Sequence, residues 1–189
     1  MTQEKFSLLI DNIPLTQVKS SKFLGVYVDE HLTWNEHINN ISIKLAKSIG
    51  VISRIAYLLP SNIRFNLYFS LICPYLSYCN IAWASNYTSR LKRLSVLQRR
   101  AVRIVARRSS TSHTINKFYD LRILIFKQIN KQQISEFMYC FAHNPLQSAF
   151  SGYFSKGTDI HSYHTRSSKN LCCSTAQTNT RMFSIKCVG

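Results

Sequence analysis

From His37 to Tyr119 the chain runs 83 residues without an aspartate or glutamate, and the same stretch holds thirteen Lys or Arg. Eight of those cations fall between Arg90 and Arg108. Nothing inside the stretch can pair these charges. A positive field of this density attracts polyanions, nucleic acid first among them. The lack of carboxylates also leaves the middle of the chain without ligands for a hard metal ion or partners for acid–base chemistry. The expectation is a surface that holds nucleic acid and no complete active site.

Over all 189 residues the formal charge is +16, while 46% of residues are apolar. That apolar share supports a real core and argues against wholesale disorder. The charge favours nucleic acid or an anionic membrane surface as partner. The six cysteines (Cys73, Cys79, Cys140, Cys172, Cys173 and Cys187) contain no C-x-x-C pair, and the N-terminus lacks a signal-peptide pattern. The thiols are therefore read as reduced and the chain as intracellular, in cytoplasm or nucleus. Phe65 to Ser89 is uncharged. Asn66, Ser70, Ser77 and Asn80 recur on one face of it, which predicts an amphipathic helix kinked at Pro74 and not a membrane span.

The predicted architecture is mostly α with a small N-terminal β-hairpin. Residues 6–28 read as strand, turn, strand, with Lys22 to Asp29 forming one alternating strand covered on both faces. A helix opens near Thr33, where Thr33 and Glu36 fit a capping box. Its apolar stripe is Ile38, Ile41, Leu45, Ile49, Ile52 and Ile55. Pro60 ends it and can open the next helix. A third helix spans about Ser89 to Arg108. Leu94, Leu97, Ala101, Ile104 and Val105 form its apolar side, and Lys92, Arg93, Arg99, Arg100, Arg103 and Arg107 its basic side. After a polar break at Ser109 to His113, a fourth helix covers Leu121 to Ala142. Three regions follow: a hairpin over 1–30, a helical region over 31–143 and an irregular tail over 144–189. A lone hairpin is marginal in water and needs helices or a larger sheet to pack on.

Arginine forks match phosphate oxygens in bidentate geometry. Neutralising about six to eight phosphates gives a slope of about −5 to −7 in log affinity against log salt. Backbone contacts of this kind carry no base specificity. The His161, His164, Cys172 and Cys173 spacing fits no common zinc pattern. His113 and Cys140 read as structural, and no glycine-rich phosphate loop exists.

Several segments in order resemble one family. They are Lys22-Phe23-Leu24-Gly25-Val26 with Asp29, Leu32-Thr33-Trp34 and His37-Ile38. Tyr68, Ser70-Leu71-Ile72, Pro74, Tyr78-Cys79 and Trp83 follow. Leu97-Gln98-Arg99-Arg100-Ala101-Val102-Arg103 and His164-Thr165-Arg166 complete the set. Together they resemble the reverse transcriptases of non-long-terminal-repeat retrotransposons of the jockey and chicken-repeat type. Within those polymerases they are most similar to the stretch after the palm.

The resemblance implies that Lys22, Phe23, Leu24 and Gly25 are primer-grip-like and lie close to a primer terminus. It implies thumb-like helices that close on a template–primer duplex, with the basic helix touching phosphates. The family's aromatic-Ala-Asp-Asp signature, which holds two Mg2+ ions, is absent here. No cofactor is therefore expected in this chain, and the missing palm and fingers are its implied partners. The chain looks clipped at both ends and unable to polymerise alone. A stand-alone, domesticated nucleic-acid-binding module is the alternative. An interaction or membrane-peripheral helical protein using Phe65 to Trp83 as its sticky face is a third reading.

Overall fold

The computed structural model describes residues 8–107, 115–143, 150, 153–160, 163, 165, 166, 168, 170–172, 178, 183 and 184. Two hairpins open it. Strand β1 (Leu9–Ile10) pairs antiparallel with β2 (Ile13–Pro14), and β3 (Ser20–Phe23) with β4 (Val26–Asp29). The single strand expected from Lys22 to Asp29 is thus a tight hairpin, with Lys22 opposite Tyr27 and Phe23 opposite Val26. Its two-residue turn is Leu24 (φ 46°) and Gly25 (φ 84°). Positive φ at both central positions matches the right-handed twist of the flanking strands. The expected cover on both faces is missing, because β3 is mostly exposed and β4 only half-buried.

Helix α1 (Asn35–Ile55) buries Ile38, Ile41, Leu45, Ile49 and Ile52. Ile55, expected on that stripe, is exposed at the last turn. The predicted capping box does not form. Trp34 occupies the N-cap in left-handed backbone (φ 62°) and makes no side-chain cap. The Asp29 carboxylate instead accepts the N–H groups of Thr33 (2.9 Å) and Trp34 (2.8 Å). The hairpin delivers Asp29 to the helix start, so a tertiary acceptor replaces the local one.

Helix α2 (Ser61–Leu71) follows Pro60 directly. The long kinked helix expected from Phe65 onward is instead three pieces: α2, α3 (Cys73–Ser77) and α4 (Asn80–Trp83). Pro74 sits in the first turn of α3, where its missing N–H has no helical partner to lose. Cys79 (φ 49°) then turns the chain into α4. The expected polar stripe is not one solvent face either: Asn66 and Ser70 are exposed, but Asn80 is fully buried.

Helix α5 (Thr88–Val105) carries the basic segment, and α6 (Ile115–Asp120) and α7 (Phe126–His143) follow. The fourth helix therefore starts later than expected, and Leu124 is left exposed. Helices α1 to α5 and α7 enclose one contiguous core around Leu45, Tyr68, Leu76, Trp83, Leu94 and Phe126. Each such side chain contributes about 1.5–3 kcal/mol by leaving water. Trp83 stacks on Phe126 at 5.8 Å and meets His37 edge-on at 5.3 Å.

The far half of α7 belongs to a second aromatic cluster. Phe137 packs edge-on against Phe150 and Phe141 against Phe154. In the tail, β5 (Ser155–Lys156) pairs with β6 (Leu171–Cys172), and a short α8 (Gly157–Ile160) follows β5. A Cβ on Gly157 would stand 2.9 Å from the Ser168 carbonyl oxygen, so only glycine fits there. The polar break at Ser109 to His113 and the Asn144-Pro145 pair lie outside the described residues, as do His161, His164, Cys173 and Cys187.

Candidate nucleic-acid interface

Helix α5 divides cleanly. Leu91, Leu94, Gln98, Ala101, Val102 and Val105 face the core. Leu97 and Ile104, expected to join them, are half-buried at the edge. Lys92, Arg93, Arg99, Arg100 and Arg107 are exposed, and Arg103 is half-buried.

Four of the arginines are held by neutral oxygens. Arg93 donates to Asn39 Oδ1 (3.1 Å), Arg99 to the Ser95 carbonyl (3.2 Å) and Arg107 to the Tyr57 carbonyl (2.6 Å). Arg90 donates to the Thr33 carbonyl at 2.9 Å. Two ion pairs occur among the described residues, His31–Glu30 and Lys117–Asp120, and both lie off α5. Neutral tethers limit the guanidinium rotamers and leave the net charge intact, which lowers the entropy lost on ligand capture.

The same bonds record how the two helices lie. The start of α5 is tied to the start of α1 through Arg90 and Arg93, and its end to the turn leaving α1 through Arg107. The two helices therefore run parallel. Arg93 and Arg100 are seven residues apart, about 10.5 Å at the helical rise, while Arg107 lies past the helix end in left-handed backbone (φ 50°).

The four hairpin residues form a separate set. Lys22 extends its Nζ over the Tyr27 ring, 5.7 Å from the centroid. Phe23 and Leu24 are 69% and 73% exposed at the tip. A left-handed leucine is strained by roughly 1–2 kcal/mol. Tyr78 offsets this by donating its hydroxyl to the Leu24 carbonyl at 2.6 Å. A Cβ on Gly25 would meet Tyr78 at an ordinary 3.8 Å, so the backbone angle and not the space selects glycine. The turn at Leu24 and Gly25 meets Tyr78, while Arg93 of α5 meets Asn39 of α1.

His37 supports the hairpin from below. Its Nδ1 accepts the Tyr27 N–H at 3.4 Å, which leaves the proton on Nε2. That Nε2 is buried without a partner among the described residues. Burial, reinforced by the Lys44 charge, holds the imidazole below its ordinary pKa of 6.5. Burial works the other way on Asp29, but the Thr33 and Trp34 N–H groups outweigh it and hold the carboxyl below 3.8. A cavity of about 330 Å3 separates the hairpin turn from His37, Lys44 and Tyr75.

Three buried polar residues escaped the sequence reading. Gln98 is 1% exposed. It donates to Tyr68 Oη and to the Leu124 carbonyl, both at 2.9 Å, and accepts the Phe126 N–H at 2.8 Å. One amide thus joins α2, α5 and the start of α7. Asn80 bridges α4 to Asn130 of α7. Arg64 belongs to the acid-free stretch but faces inward, donating to the carbonyls of Val105 (2.9 Å) and Leu59 (2.5 Å). A mid-helix glutamine inside an arginine-rich run was the available signal, since polar groups at core positions need fixed partners.

No group of three or more His, Cys, Asp or Glu among the described residues is placed to hold a metal. Among the same residues no helix is long and apolar enough to cross a membrane. No family model matches the chain, and no solved structure matches it. The chain is similar to the probable RNA-directed DNA polymerase from transposon X-element of Drosophila melanogaster. It is 28% identical over 132 residues, which cover 65% of this chain and 14% of that relative. The similarity supports a relation to retrotransposon reverse transcriptases.

Proposed function

We propose that this chain is the nucleic-acid-gripping part of a non-long-terminal-repeat reverse transcriptase, the stretch that follows the palm. In this reading α5 holds phosphate backbone without reading sequence, and the Lys22 to Gly25 turn is primer-grip-like. An intracellular location follows from the same reading. The observation that carries it is the basic face of α5. Among the described residues Arg93, Arg99 and Arg107 are held by neutral oxygens, so their charge stays available to phosphate. The exposed apolar hairpins support a partner in the palm: eight large apolar side chains between Leu8 and Leu24 lie in solvent.

Nucleotidyl transfer needs carboxylates that hold two Mg2+ ions. The four aspartates, Asp11, Asp29, Asp120 and Asp159, include no adjacent pair, and Asp29 is engaged at the start of α1. The residues present do not fit such a centre, and no catalytic step is assigned to this chain. The test is binding of a labelled template–primer across a salt series. The expected result is a slope of about −0.7 to −0.9 for each phosphate engaged and similar affinity for unrelated sequences. Salt-independent binding would remove α5 from the reading. Primer extension by the purified chain alone would overturn its assignment as non-catalytic.

A stand-alone binding module is the second reading, and the contiguous core supports it. A cooperative unfolding transition of the isolated monomer would favour it over a fragment that needs its palm.

A further inference from the structure

A second groove lies between α5 and α7. Its floor is apolar, formed by Leu91, Phe126, Ile134 and Met138, and its volume is about 790 Å3. Lys127 and Lys131, one turn apart on α7, stand exposed on its rim. An adjoining hollow of about 490 Å3 shares Ser85, Asn86 and Phe183 with it and adds Arg90. Among the described residues no carboxylate lines either space. Phe183 reaches in from the C-terminal segment and sets its ring edge-on to Tyr87 at 4.8 Å.

The amide groups on the walls are already engaged. Asn86 donates to the Thr33 carbonyl and accepts the Tyr87 N–H. Asn130 donates to Asn80 and accepts from Ser85. Each of these amides has already committed one N–H and one lone pair inside the protein, so a nucleobase would find few free partners on them, and unpaired polar edges in an apolar site are costly. An aromatic or large aliphatic side chain needs only the floor, and Phe183 demonstrates that a phenyl ring fits beside it. Two lysines and an arginine around an acid-free groove complement carboxylates on such a ligand.

We propose that this groove docks a peptide segment of a partner protein, with an aromatic side chain flanked by acidic residues. Phe183 holds part of the same space and competes with that segment. This goes beyond nucleic-acid binding and uses a different surface of the molecule.

The test is fluorescence anisotropy of the full chain with a labelled peptide bearing one phenylalanine between glutamates. Saturable binding is expected. Lys127→Glu with Lys131→Glu should weaken it about ten-fold, and Phe183→Ala should strengthen it. Both lysines are exposed, so their reversal leaves the fold in place and decides the matter even if Phe183→Ala disturbs the tail. Absence of binding to the native chain and to Phe183→Ala overturns the proposal. So does equal binding of a peptide with lysines in place of the glutamates. An equal loss in the Arg93→Ala, Arg99→Ala, Arg100→Ala chain would put the peptide on the basic face instead. Displacement of the peptide from that triple variant by a single-stranded oligonucleotide would give the groove to nucleic acid.

Discussion

The hairpin joint and the basic face of α5 both carry residues of the family-like motif, yet they use polar groups in opposite ways. At the joint, polar groups turn inward. Asp29 ties down the start of α1, Tyr78 holds the Leu24 carbonyl and His37 supports Tyr27. On α5 Arg93 and Arg99 turn outward, and their acceptors leave their charge untouched. A motif residue is therefore not by itself a ligand residue. What separates the two is whether its hydrogen-bonding capacity and charge are already matched inside the protein.

This contrast can be broken most forcefully at Gln98, which sits in the basic helix but behaves like a joint residue. Gln98→Ala orphans the Phe126 N–H, the Leu124 carbonyl and the Tyr68 hydroxyl. A loss of about 3–5 kcal/mol in denaturant unfolding is expected, with no change in the salt slope of the folded fraction. A changed slope would place Gln98 on the ligand side. Next in size, replacing Arg93, Arg99 and Arg100 with alanine should weaken nucleic-acid binding about a hundred-fold at moderate salt and flatten the slope by about 2–3. The melting temperature should hardly move. A large drop in stability would mean that the arginines serve the fold.

The joint makes smaller predictions with definite signs. His37 stays neutral in the fold, so its contribution is complete above pH 6.5. Below that the unfolded chain takes up a proton that the folded one refuses, and stability falls with pH until the folded pKa is reached. His37→Gln should flatten unfolding free energy over this window, and an unaltered profile would exclude His37 as its source. Asp29 acts at lower pH. Its stabilisation is complete above its ordinary value of 3.8 and is lost as pH falls toward the lower folded value. Asp29→Asn should destabilise by about 1 kcal/mol at neutral pH. A null effect at neutral pH would mean that its two N–H bonds add nothing.

How far the sequence was legible follows the same division. Helices α1 and α5 were readable because their apolar positions recur with the helical period, and that period alone selects which face is buried. The basic face was readable because exposure is the default for unpaired arginine. The break of 61–83 into three helices was hidden, since that stretch is apolar or neutral nearly all round and its period does not mark where it bends. The turn at Leu24 was hidden because leucine rarely takes positive φ, and a tyrosine 54 positions later sustains it there. The inward roles of Gln98, Asn80 and Arg64 depend on partners brought in from other elements, and no local spacing records them.

Parallel packing of α1 and α5 has an electrical consequence. Peptide dipoles of parallel neighbours add, so about half a negative charge from each helix gathers at the same end of the pair. Arg64 lies buried across that end with its guanidinium on the Val105 and Leu59 carbonyls. Asp29 answers the opposite pole, beside the start of α1. The protein thus carries internal counter-ions for its own dipoles. The charge a polyanion meets is therefore smaller than the formal +16 implies.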